Sequence, residues 1–256
     1  MPHINIYHLY PQHLNLCGDR GNILALLQRS RWHGLETRVV PVPPGGRIDF
    51  RHCDLLYMGG GQDSQQKIVV AALRKYLHEL RAAVEAGLVV LAISGSYQLL
   101  GRYIVTAKGE RIPGLNLLDF YTTGGKRIAG DIVTSCSLWS PPKTLVGFEN
   151  HSGRTFLGKR LKPLGKVLRG YGNNGRDGTE GVRYKNVIGT YMHGALLPKN
   201  PWLTDCLLKK ALEYRQINCR LKSLDDKLEL AAHKFIINRN STFFFRKRRS
   251  SFYEAK

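Results

Sequence analysis

A buried strand that runs into a corner of small residues and then into a helix leaves few folds open, and residues 88–101, LVVLAISGSYQLLG, read this way. Leu88–Ile93 is a continuous apolar run of strand length. Ser94-Gly95-Ser96 admits only small side chains, as a tight strand-to-helix elbow demands, and a helical segment opens at Tyr97. The apex residue, Ser94, is therefore expected above the carboxyl end of a sheet. Backbone N–H groups of the next turn would point at whatever binds there. An ordinary βα turn, packed tightly for steric reasons alone, would use the same residues, so the elbow does not decide the function by itself.

The flanking sequence repeats the pattern. Strands are predicted over His3–Leu9, Leu35–Val42 and Cys53–Met58, helices over Ile23–His33 and Ser64–Ala86, the latter capped by Gly87. The helix after the elbow is expected to run through Ile104. Three β–loop–α units before residue 105 predict an α/β fold with a doubly wound, mostly parallel sheet flanked by helices. From Gly114 the texture changes to short β-like runs (Ile128–Ser135, Thr144–Phe148, Lys166–Leu168, Val182–Tyr184, Val187–Tyr191) between glycine-rich turns. An antiparallel extension or further strands of the same sheet would look like this. Helices over Leu203–Tyr214 and Leu221–Asn238 close the fold.

Charge narrows the partners. The 256 residues carry +20, and only +4 of it falls in the last sixteen, so the body keeps +16. Such a surface favours polyanions: nucleic acid, anionic lipid or phosphorylated substrates. No reader helix, zinc-finger spacing or RNP-like aromatic motif supports nucleic acid. The five cysteines form no CxxC pair, so neither a metal site nor a disulfide framework is expected. MPHINIYHLYP lacks a signal pattern and no apolar run approaches membrane-spanning length, which makes a cytoplasmic protein the expectation.

Six ordered segments carry a resemblance: LNLCGDRGN (14–22), YMGGGQDSQQ (57–66), AISGSYQLLG (92–101), GFENHSG (147–153), GNNGRDGTEG (172–181) and IGTYMHGALLPKNP (188–201), with LDDKLELAAHKF (224–235) after them. Together they resemble the class I glutamine amidotransferases. More narrowly they are similar to the glutaminase subunits of lipid II isoglutaminyl synthases, relatives of the cobyric-acid-synthase amidotransferases. The resemblance implies an amidotransferase domain over 1–205, a helical segment over 206–240 and a basic tail over 241–256. It also implies that glutamine is hydrolysed here and that ammonia passes to a Mur-ligase-like synthetase subunit. That partner would amidate the D-Glu α-carboxyl of the lipid II stem peptide. No cofactor is expected in this chain; GxxxxGK[ST] is absent, so ATP and Mg belong to the partner. A cobyrinic-acid-type amidotransferase is the nearest enzymatic alternative.

Glutamine hydrolysis needs a nucleophile, a base beside it and donors for an oxyanion. Ser94 takes the nucleophile position and His193 that of the base. The backbone amides of Gly60 and Gly95 are the expected oxyanion donors. Gln98 and Arg127 align with residues that contact the substrate, and a guanidinium suits its α-carboxylate. Two positions depart from the family. Its nucleophile is cysteine, and a serine hydroxyl is far less ionised than a thiol. The glutamate that other class I enzymes keep two residues after the histidine is here Ala195. The resemblance implies that the missing carboxylate comes from the partner; Glu149 and Glu180 are the alternatives within this chain. Ser94 is compatible with an engineered Cys→Ser change, a natural pseudoenzyme that keeps the fold and the partner interface, or a working serine hydrolase. The chain as written is expected to be nearly inactive. The tail Phe243-Phe244-Phe245-Arg246-Lys247-Arg248-Arg249 is expected to favour an anionic membrane surface at the inner face.

Overall fold

The computed structural model describes residues 2–239. The aromatic–basic tail lies outside the described residues. In chain order the first half comprises His3–Leu9 (β1), Arg20–His33 (α1), Glu36–Val42 (β2), Leu55–Met58 (β3), Asp63–Arg74 (α2), Leu77–Ala86 (α3) and Val89–Ile93 (β4). Then come Gly95–Leu99 (α4), Tyr103–Val105 (β5), Arg111–Pro113 (β6), Phe120–Cys136 (β7), Lys143–Leu157 (β8), Gly165–Arg169 (β9) and Thr179–Glu180 (β10). Val182–Tyr184 (β11), Val187–Thr190 (β12), Met192–His193 (β13), Pro201–Tyr214 (α5) and Lys227–Arg239 (α6) complete it.

One sheet of six strands has the order β11-β12-β4-β3-β1-β2, all parallel except β11. The doubly wound parallel sheet is thus present. Both of its faces are covered, which is why β3 and β4 read as unbroken apolar runs rather than alternating ones. Leu56, Met58, Val90 and Ala92 pack with Val69 and Leu73 of α2 and with Leu80 and Val84 of α3. The intervening residues, Leu55, Tyr57, Val89 and Leu91, pack with Leu26 of α1 and with Leu203 and Leu207 of α5. Because α5 is part of this core, the division expected after residue 205 falls inside a packed helix.

A second sheet is mainly antiparallel and is built on the long hairpin β7–β8; β9, followed by β10, pairs with the Val133–Cys136 end of β7, and β5, followed by β6, with its Thr122–Thr123 end. Gly124 and Gly125 limited the predicted run to Ile128–Ser135, whereas β7 continues through them. The ladder slips between Gly124 and Ile128, and the resulting irregularity carries Arg127.

Three helix expectations are corrected, one of them over Leu221–Asn238, where the helix opens only at Lys227. The helix predicted over Ser64–Ala86 is two helices, broken at Lys75 and Tyr76. Tyr76 sets its ring edge-on to Phe50 and donates a hydrogen bond to the Gly46 carbonyl, contacts that replace helical continuation. The helix after the elbow ends at Leu99 rather than Ile104. A Cβ at Gly101 would meet the Phe120 ring and carbonyl, and Arg102 donates its amide to Phe120, which turns the chain into β5.

Candidate active site

The ends of β4 and β12, neighbours in the parallel sheet, converge on one place. β4 delivers Ser94, whose backbone (φ 51°, ψ −110°) is left-handed in φ despite its Cβ. Such a conformation costs about 1–3 kcal/mol and is found where function holds it. The Ser94 amide donates to the Thr190 carbonyl at 2.7 Å, which pins the elbow to β12. Glycine at 95 is a steric requirement: a Cβ there would lie 2.5 Å from the Gly61 carbonyl oxygen and 2.6 Å from Gln66 Nε2.

β12 delivers the histidine. After Thr190 the chain crosses to the second sheet, where Met192 and His193 pair with Glu149 and Phe148 of β8. His193 therefore sits at the seam of the two sheets and is 1 % exposed.

Ser94, Gly95, Gln98, Arg127 and His193 line a single cavity of about 480 Å³. Gln98 cannot swing within it: its Oε1 accepts from Gln66 Nε2 at 2.9 Å and its Nε2 donates to the Tyr191 hydroxyl at 3.0 Å. Arg127, exposed at the rim, donates to Asn150 Oδ1 at 2.5 Å, leaving the rest of its guanidinium for an anion. Gly60 stands behind the cavity. Its amide donates to Asp19 Oδ2 at 2.7 Å, so this N–H serves a carboxylate rather than standing free for an oxyanion.

Sequence reasoning missed Asp19. It is fully buried, and its Oδ1 and Oδ2 lie 3.4 and 3.3 Å from His193 Nδ1. Asp19 is thus a carboxylate of this chain beside the histidine, at a place where the sequence reading looked to the partner or to Glu149 and Glu180. Neither alternative takes that position. Glu149 accepts the amides of Tyr171 and Gly172, and Glu180 accepts the Thr190 hydroxyl and the Tyr191 amide. His151 was also missed. It lines the cavity, stacks on Tyr191 at 3.7 Å and donates from Nδ1 to the Gly153 carbonyl. Asp19 had a signal, since it lies in LNLCGDRGN; that segment read as a polar loop because nothing local reveals that the carboxylate is buried. Among the described residues no group of three His, Cys, Asp or Glu side chains is placed to hold a metal ion.

Glu180 carries a pH consequence. Burial pushes its carboxyl up to about 7, and nearby Glu149 adds to the rise, against the hydrogen bonds from Thr190 and Tyr191. A folded-state pKa above the unfolded one favours the fold while the group is protonated, and that stability is lost as pH rises from the unfolded toward the folded value. The protein is expected to lose about 3 kcal/mol from this group between roughly pH 5 and pH 8. Urea unfolding of the parent and of Glu180→Gln should show the pH slope flattened in the variant; equal slopes would contradict it.

Residues 5–201 match the CobB/CobQ-like glutamine amidotransferase domain. The lipid II isoglutaminyl synthase (glutamine-hydrolyzing) subunit GatD of Staphylococcus aureus is 42 % identical over 240 residues, covering 93 % of this chain and 97 % of that protein. The protein of the same name from Streptococcus pneumoniae is 42 % identical over 212 residues, 82 % of this chain and 81 % of its own length. Cobyric acid synthase of Pelotomaculum thermopropionicum is 32 % identical over 154 residues, 55 % of this chain and 29 % of that longer protein. Among solved structures, PurLQS from Thermotoga maritima superposes with a TM-score of 0.54 at 17 % identity, over 84 % of this chain and 99 % of the matched one, which is a likeness of fold. The match over 5–201 settles the family: the chain belongs to the CobB/CobQ-like glutamine amidotransferases.

Proposed function

We propose that this chain is the glutamine-hydrolysing subunit of a lipid II isoglutaminyl synthase, and that it passes ammonia to a Mur-ligase-like partner. That partner uses ATP and Mg to amidate the D-Glu α-carboxyl of the stem peptide. The observation that carries the reading is one cavity shared by a strained elbow residue, a buried histidine and a rim arginine. Ser94 stands at the attacking position and His193 as the base. Gln98 faces the substrate, and Arg127 holds its α-carboxylate. The Gly95 amide opens α4 and is an oxyanion donor; Gly60 becomes one only when its hydrogen bond to Asp19 is released. With serine at the elbow the chain binds glutamine and hydrolyses it poorly. The charge of +20 suits work at the inner face of an anionic membrane, where lipid II is presented.

A second reading has one observation in its favour, Ser94 itself: a non-catalytic amidotransferase subunit that stabilises or regulates its ligase. Glutamine titration calorimetry separates the two. The first reading expects binding by the chain as written, weakened about tenfold by Arg127→Ala through loss of a charge-assisted contact at an exposed rim. No heat of glutamine binding, with or without the synthetase partner, would favour the non-catalytic role.

A further inference from the structure

Arg127 sits where β7 leaves its ladder. Pairing with β8 stops at Gly124–Gly153 and resumes at Ile128–His151, which leaves residues 125–127 of β7 against Ser152 alone. Two side chains of β8 fasten this slip. Arg154 Nη2 donates to the Lys126 carbonyl at 2.6 Å and holds the backbone. Asn150 Oδ1 accepts from Arg127 Nη1 at 2.5 Å and holds the guanidinium. Among the described residues the Arg127 side chain makes no other hydrogen bond.

The neighbours of Asn150 fix which way its amide points. A guanidinium only donates, so the amide oxygen must face Arg127 and the NH₂ group must face away. There Nδ2 lies 3.8 Å from Cys17 Sγ, a weak acceptor in the loop before α1. Cys17, Arg127 and Asn150 all line the cavity that Ser94 and His193 share, so Asn150 joins two elements of its wall. An arginine at an exposed rim has many rotamers, and holding it before a ligand arrives removes part of the ordering cost of binding. The bond uses a single N–H of the guanidinium and leaves the others for a bidentate grip on a carboxylate. Neutrality matters as much as position. Asparagine holds the cation without cancelling its charge, whereas a carboxylate at 150 would pair with Arg127 and oppose an incoming anion.

We propose that Asn150 is the positioning residue that sets the Arg127 guanidinium for the ligand's α-carboxylate, and that its neutral amide reserves this rim for an amino acid with that carboxylate free. The inference rests on reading the cavity as a glutamine site. It fixes an order of substitutions that a merely structural residue would not give. Aspartate has nearly the shape of asparagine and would be the mildest replacement for a residue that only packs. For a residue that presents Arg127 it is the most harmful one, worse than alanine, and harmful only toward ligands that carry the α-carboxylate.

The test titrates the full chain, with Ser94 in place, by calorimetry against L-glutamine and against its α-amide, which keeps the side chain and lacks the α-carboxylate. The parent is expected to prefer glutamine by about tenfold. Asn150→Ala should weaken glutamine about fivefold and the α-amide less than about twofold. Asn150→Asp should weaken glutamine about twentyfold and leave the α-amide unchanged or tighter, so that the preference is lost. In an Arg127→Ala background, Asn150→Ala should cost less than about twofold further, because the two residues act through one contact. Thermal melting identifies the folded variants. Glutamine bound by Asn150→Asp as well as by Asn150→Ala, or an equal loss for both ligands in folded variants, would overturn the proposal. If Asn150→Asp does not fold, losses that add in the Arg127→Ala background overturn it by themselves. A parent that binds neither ligand, alone or with the synthetase partner, would fail the glutamine-site reading and the proposal with it. That outcome is distinct from a parent that binds glutamine and variants that bind it equally well, which would fail the proposal alone.

Discussion

Replacing Ser94 by cysteine is expected to raise glutamine hydrolysis by about 10³-fold or more. Loss of one member of an acyl-transfer constellation costs on the order of 10⁴ to 10⁶ in kcat, and a thiol restores a nucleophile that is already a few per cent ionised at neutral pH. The elbow geometry needs no repair: the left-handed φ at Ser94, the bond from its amide to Thr190 and the room at Gly95 are all in place. Ser94→Ala should leave the low starting rate where it is, because an un-ionised hydroxyl contributes little to lose. Glutamate release by the three proteins, alone and with the synthetase partner, is the measurement. The cysteine form is expected to be weak alone and to gain strongly with the partner, which the resemblance makes the source of the missing carboxylate. Glutamate release from Ser94→Cys no greater than from Ser94→Ala under either condition would remove the nucleophile role from this elbow.

The elbow and its sheet were legible because their signals are local. A buried parallel strand is a short apolar run, and a turn that collides with Gly61 and Gln66 must be glycine; both are written in consecutive residues. The motif resemblance likewise led to Ser94, Gly95, Gln98, Arg127 and His193, which the fold gathers around one cavity. What stayed hidden was relational. Asp19 and His193 are 174 residues apart in sequence, and no periodicity records that two loops meet. The hairpin β7–β8 was hidden for a different reason: its glycines lower strand propensity, and pairing along the whole ladder overrides that. Tyr76 illustrates the reverse. A helical apolar pattern continued through it, but an aromatic contact to Phe50 broke the helix there.

Arg29→Ala is expected to remove about 3 kcal/mol of stability and to lower the melting midpoint by roughly 6 to 12 °C. Arg29 lies on α1 and is 3 % exposed. Its guanidinium grips Asp205 of α5 with two bonds, at 2.6 and 2.7 Å, and Asp226, just before α6, at 2.6 Å. His33, one turn further along α1, adds a contact to Asp205 at 2.9 Å. One buried cation thus ties the C-terminal helices to the edge of the parallel core. The cost of the variant lies in leaving two carboxylates without their cation, so Arg29→Met combined with Asp205→Leu and Asp226→Leu should recover most of it. Arg29→Lys should lose an intermediate amount, because a single ammonium cannot reproduce the fork. Acidity gives a separate check. Burial pushes the Asp205 carboxyl up, but the hydrogen bonds from Arg29 and His33 outweigh it and hold the group below the ordinary carboxylate range. A depressed folded pKa stabilises the protein above the unfolded value near 3.9 and that contribution is lost as pH falls toward the folded one. The deficit of Arg29→Ala measured by urea unfolding should therefore shrink as pH falls below about 4. A variant that melts with the parent at neutral pH would show that apolar packing of α5 and α6, and not this cluster, holds the C-terminal helices in place.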